Sequence, residues 1–158
     1  MDELIKAIPS LLGVLVGGLI TFFVQNTTVR KQQKWEREKI EWDRQYQEQT
    51  LKFETFNKIL QLDRTHLVLE YDLHRGPELN RKKYVTHIKP LLFDVFHLLN
   101  EEMVSRIDII EDIFEEWYVM EEPSPGDDEK LTESYKRIIE LINLQFKEQR
   151  ESKLKRNA

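Results

Sequence analysis

Ala7 to Val24 reads AIPSLLGVLVGGLITFFV, eighteen residues without a charge, with Ser10 and Thr21 as the only polar interruptions. As a helix rising about 1.5 Å per residue, the run nearly matches a hydrocarbon core of about 30 Å. A cleaved secretory signal fits poorly. The leader carries Asp2 and Glu3 against one Lys6, and Gln25-Asn26-Thr27-Thr28 offers no small-x-small cleavage site. The run also exceeds the roughly 7–15 apolar residues of a signal core. A retained N-terminal anchor over residues 1–26 is the expectation. With no Cys there is neither a lipid-modified anchor nor a disulfide.

The flanks set the expected orientation. Arg30, Lys31, Lys34, Arg37 and Lys39 follow the run, against only Glu36 and Glu38. Basic residues close to a span stay on the cytoplasmic side. This reading places the N-terminus outside the cell membrane and the remaining chain in the cytoplasm. Arg30, Lys31 and Lys34 are then candidate contacts for anionic lipid head groups, each gaining about 1 kcal/mol. Gly13 and Gly17 form G-x-x-x-G, and with Thr21 they recur every four residues along one ridge. A ridge without bulk lets a second backbone approach, so Gly13, Gly17 and Thr21 are the candidate self-association surface. No acid or base interrupts the run, so nothing marks an ion path.

Charged residues make up 34% of the 158-residue chain and the net charge is −5. The distribution is uneven: basic from Arg30 to Lys39, acidic from Glu101 to Glu129, basic again from Lys147 to Arg156. Large apolar residues recur throughout, which a disordered chain would lack. After the anchor, neither Gly nor Pro occurs until Gly76-Pro77. That interval reads as one long helix, a stalk over 27–50 that runs into a helical domain over 51–158. A thin heptad-like seam follows Trp35, Trp42, Tyr46, Phe53, Phe56, Leu60 and Leu67, broken by Lys39, Gln49 and Asp63. From Leu51 onward Ile59, Leu62, Val68, Leu69 and Leu73 widen the stripe, as packing into a domain requires.

Within the domain, Pro77 is expected to open a second helix. Its stripe is Tyr84, Ile88, Leu91, Leu92, Val95, Phe96 and Leu99, with a kink or break at Pro90. Asn100 to Val104 is the expected turn. Ser105-x-x-Asp108 then resembles a capping box for a third helix that buries Ile107, Ile110, Ile113, Phe114 and Trp117. Glu121 to Lys130, EEPSPGDDEK, is the clearest loop, and Asp127 or Asp128 is the expected cap of the last helix. There Leu131, Tyr135, Ile138, Ile139, Ile142 and Phe146 keep helical spacing. No alternating strand pattern of useful length competes. The expected fold is all-α: a transmembrane helix, a long helical stalk and a C-terminal bundle of about four helices.

Chemistry is sparse. No nucleotide-binding glycine loop, Cys nucleophile or G-x-S-x-G occurs. On one long helix His66, Glu70 and His74 would share a face that can hold a divalent metal, but zinc sites usually need a ligand from elsewhere, so a solvated polar face is preferred. Asp94-x-x-His97 has the spacing of di-metal bundles but lacks its second pair. Glu111, Asp112, Glu115 and Glu116 form a stripe that reads as an exposed helix face. No metal, cofactor or catalytic residue is assigned, and nucleic acid is disfavoured by the interspersed acids.

The layout resembles small bacterial single-pass, membrane-anchored helical proteins of uncharacterised function. The likeness covers about the first 45 residues: a Gly-rich span, LLGVLVGGLITFF, followed by a charged helix, RKQQKWEREKIEW. It implies a membrane-tethered helical protein and carries over no site residues. Some similar-looking proteins come from prophages and act in exclusion or defence. The expected function is therefore non-enzymatic: a self-associating membrane-anchored scaffold whose domain binds a protein partner. Trp35, Trp42 and Tyr46 are the candidate contacts, because the thinly apolar stalk offers them no core. The alternatives are a membrane-perturbing, toxin-like oligomer and a metal-dependent enzyme using the His66 face.

Overall fold

The computed structural model describes the backbone of residues 2–72, 76–120 and 122–156. It describes the side chains of residues 25, 28–71, 76–120, 122–152 and 154–155. The chain divides into two units, Met1–Gln47 and Glu48–Ala158. Helix α1 spans Asp2–His66. Among the described residues, no helix is long and apolar enough to cross a membrane. The side chains of the run Ala7–Val24, with Gly13, Gly17 and Thr21, lie outside the described residues.

The Glu48–Ala158 unit is mostly helical. A hairpin of β1 (Leu69–Asp72) and β2 (Gly76–Leu79) follows α1, then the three-residue α2 (Arg81–Lys83), a π-helical turn (Tyr84–Ile88) and α3 (Lys89–Asp94). A 3₁₀ turn (Phe96–Leu98), α4 (Glu101–Met120) and α5 (Asp127–Arg156) complete it.

The first stripe stops short of Gly76. Leu67 turns left-handed at φ 49°, its N–H still bonded to the Asp63 carbonyl at 3.0 Å, and the helix ends at His66. This is the position after a helix where Gly is usual. The expected continuation to residue 75 is therefore corrected to a hairpin. Leu69 pairs with Leu79, Glu70 with Glu78, Tyr71 with Pro77 and Asp72 with Gly76, antiparallel. Gly76, at φ 84°, returns the chain. Pro77 thus lies in a strand of a two-stranded ribbon, where a missing N–H is tolerated, rather than at a helix start. The two-residue alternation is too short to stand out from the helical stripe around it.

Pro90 breaks its helix as expected. A proline cannot donate to the carbonyl four residues back and its ring crowds that carbonyl. The chain responds one residue earlier: the Lys89 N–H bonds the Tyr84 carbonyl five residues back, the hallmark of a π-turn, and α3 starts with Pro in its first turn. The expected turn over 100–104 is corrected. The Asn100 side chain accepts the Met103 N–H at 2.9 Å and α4 opens at Glu101, so Ser105 lies inside the helix rather than capping it.

The core draws on α1, the π-turn, α3, α4 and α5, with the hairpin and the 3₁₀ turn packed against it. Phe56 and Ile59 of α1, Val68, Tyr84 and Ile88, Leu92 and Val95, Ile107 and Ile110 of α4, and Leu131, Tyr135, Ile138 and Ile142 of α5 are all buried. Phe53, Phe56 and Phe146 form an aromatic cluster, with the Phe53 and Phe146 rings 5.1 Å apart. The two buried tyrosines keep their hydroxyls satisfied: Tyr135 donates to Asp63 at 2.7 Å and Tyr84 to Glu111 at 3.3 Å. Burial pushes both phenols above their ordinary range, and the facing carboxylates add to the effect. Among the described residues, no buried side-chain polar atom lacks a partner.

Candidate functional site

Two places in the molecule go beyond what packing requires. The first is the stretch of α1 within Met1–Gln47. Trp35, Trp42 and Tyr46 are 66%, 71% and 75% exposed, and Ile40 is exposed beside them. Seven and four residues separate the three aromatics, so they lie along one stripe of the helix. Lys34 pairs with Glu38 at 3.8 Å and Arg44 with Glu41 at 3.6 Å, both along the helix, and the Lys39 ammonium lies 6.0 Å from the Trp35 ring. Exposed pairs of this kind contribute less than about 1 kcal/mol and hold nothing in place. Arg30, Lys31 and Lys34 are likewise exposed. Large rigid aromatics in an exposed row are the residue types that anchor protein contacts.

The second place is the junction after α1, where several unusual features coincide. Leu67 is left-handed although it carries a branched side chain, a conformation of about 1–2 kcal/mol. The Lys83 ammonium lies 3.4 Å from the Leu67 carbonyl and 2.8 Å from the Glu70 carboxylate. Asn80 adds a second donor to Glu70 at 2.8 Å, and its own carbonyl oxygen caps α2 by accepting the Lys83 N–H. The hydrogen bonds from Lys83 and Asn80 hold the Glu70 carboxyl below its usual range. They also offset the like charge of Glu78, which stands directly opposite Glu70 in the ribbon. Beside this cluster the His66 ring stacks on His87 of the π-turn, centroids 4.0 Å apart and planes 3° from parallel.

This arrangement redistributes the histidines. His66 ends α1 and Glu70 lies in β1, so they do not share a helix face, and His74 lies outside the described residues. His66 meets His87, twenty-one positions beyond the end of its own helix, in the strand-and-turn segment that the long-helix reading hides. Asp94 and His97 are also split, the first closing α3 and the second in the 3₁₀ turn. Among the described residues, no group of three or more His, Asp or Glu can hold a metal. The α4 acids are not all solvated either: Glu111 is partly buried and accepts both Lys89 and Tyr84.

Residue spacing does not reveal one further contact. Asp127, buried at the start of α5, does not cap the helix. It accepts the Trp117 indole N–H at 2.8 Å and the Ser124 N–H at 2.9 Å, latching the end of α4 to the loop. The Trp117 hydrogen bond, then the Ser124 N–H and the nearby Lys130, keep its carboxyl below the ordinary range. Gly126 at φ 90° makes the turn that brings it back. The available sequence signal is only Gly126 followed directly by an acid, which does not single out Asp127 from Asp128.

Compared with protein-family models, curated proteins and solved structures, the chain matches none.

Proposed function

We propose that this chain is a non-enzymatic, single-pass membrane-anchored interaction protein. Its apolar N-terminal run is the tether, and its helical unit Glu48–Ala158 works on the cytoplasmic side. The observation that carries the reading is the exposed row Trp35, Trp42 and Tyr46. Burying one such side chain against a partner removes 150–250 Å2 of aromatic surface from water, an order-of-magnitude gain of several kcal/mol at about 25 cal/mol per Å2. The apolar run 7–24 and its basic flank support the tether, and the Gly13, Gly17 and Thr21 ridge supports self-association within it.

Two experiments separate the parts of this reading. Detergent-solubilised full chain, captured with its partners, is expected to lose a specific co-purifying protein in the Trp35→Ala/Trp42→Ala double variant. An unchanged partner set would remove the aromatic row from the account. Crosslinking in membranes is expected to show an oligomer that Gly13→Ile/Gly17→Ile weakens. An unaltered ladder would place self-association elsewhere.

A further inference from the structure

We propose that the groove between the last turns of α1 and the C-terminal half of α5 is a phosphate-binding site. The groove is open to solvent and has a volume of about 530 Å3, the size range of small-ligand sites. Two guanidiniums line it, Arg64 from α1 and Arg150 from α5, together with the amides of Asn57, Gln61 and Asn143 and the ring of Phe146. No carboxylate lines it, although the chain carries 29 acids against 24 Lys and Arg.

Both arginines of the groove are exposed and open to a ligand. Arg137 is held by Glu102 at 2.7 Å and Glu140 at 3.1 Å, so its charge is already answered. Arg64 and Arg150 have no carboxylate partner among the described residues. Arg150 is positioned, because its Nε donates to the Phe146 carbonyl at 3.2 Å, and that bond leaves both terminal nitrogens for a ligand. Asn143 is fixed too: one N–H of its Nδ2 donates to the Ile139 carbonyl at 2.8 Å, and the other can donate to a phosphate oxygen. Eighty-six positions of sequence separate the arginines, and only the packing of α1 on α5 through the Phe53, Phe56 and Phe146 cluster brings them to one groove.

Two guanidiniums with neutral amides between them suit a compact doubly charged anion better than a single carboxylate. The planar fork of Arg matches phosphate oxygens in paired hydrogen bonds. The phosphate can belong to a soluble phosphate compound or to an anionic lipid head group. The chemistry recognised is the same in both cases, and neither depends on the aromatic row.

The test uses the full chain in phosphatidylcholine nanodiscs, read by NMR of the Arg64, Arg150 and Asn143 side-chain N–H signals. Inorganic phosphate is the first probe. Saturable movement of these three signals, with binding weakened about tenfold in Arg64→Gln or Arg150→Gln, identifies a soluble phosphate ligand. If inorganic phosphate leaves them in place but replacing the lipid with phosphatidylglycerol moves them, the ligand is a head group. Arg64→Lys, which keeps charge without the fork, is expected to fall between the wild type and Arg64→Gln. Signals unmoved by both probes, or moved equally in the Gln variants, overturn the proposal.

Discussion

Helix α1 carries large apolar side chains in both units, and they meet opposite fates. Trp35 and Trp42 stand in solvent, whereas Phe56 and Ile59, a few turns later, are fully buried. Residue type does not explain the difference, since tryptophan is at least as apolar in area as phenylalanine. Stripe width does. Around Trp35 the seam offers one large apolar residue per heptad, with Lys39 and Gln49 on its own line. Around Phe56 the residues Phe53, Ile59, Leu60 and Leu62 broaden the stripe, and α5 supplies Phe146 opposite. A narrow seam can bury itself only against something brought to it. A wide one recruits the rest of its own chain.

The largest expected break in this comparison comes from opening a cavity on one side of it. Ile138→Ala, in the α5 core, is expected to destabilise the Glu48–Ala158 unit by about 2–5 kcal/mol in denaturant unfolding. Trp35→Ala is expected to stay within about 0.5 kcal/mol by the same measurement. Comparable losses would mean that Trp35 has a core of its own. Next in size, Tyr135→Phe removes the hydroxyl that reaches Asp63 across the α1–α5 contact and is expected to cost about 1 kcal/mol. A neutral result would show that Asp63 is satisfied by water instead.

A gain is expected at the end of α1. Leu67 is 65% exposed, so Leu67→Gly loses little packing while relieving the left-handed backbone. Unfolding free energy is expected to rise by about 0.5–1 kcal/mol. A fall would show that the leucine side chain holds the junction. The smallest effect concerns pH. Because the Asp127 carboxyl is held below its ordinary value, its contribution is fully present above the unfolded value of about 4 and is lost as pH falls through the folded one. Thermal melts of wild type and Asp127→Asn are therefore expected to differ at neutral pH and to converge in acid. A gap independent of pH would assign the latch to shape rather than charge.

Much of the helical domain is legible in the sequence. The stripes from Tyr84, from Ile107 and from Leu131 all become core, because three or four apolar residues per two turns leave a helix only one face to bury. Pro90 also sits where backbone chemistry puts it, but the expected EEPSPGDDEK loop is shorter than its composition suggests, since α5 opens at Asp127 and takes its last four residues. The hairpin is not legible, since Val68, Leu69 and Leu73 read as a continuation of the helical stripe and the stop signal at Leu67 is a residue that normally avoids that conformation. The same misreading hides the His66–His87 stack. The exposed tryptophans are legible because their seam is sparse. The Arg64–Arg150 groove is not, because it depends on which helices pack side by side.

The tether is the claim on which the proposed function rests, and alkaline carbonate extraction of membranes tests it most directly. The account predicts that the full-length chain stays in the membrane pellet and that deleting residues 7–24 releases it. Recovery of the unprocessed full-length chain in the supernatant would contradict it.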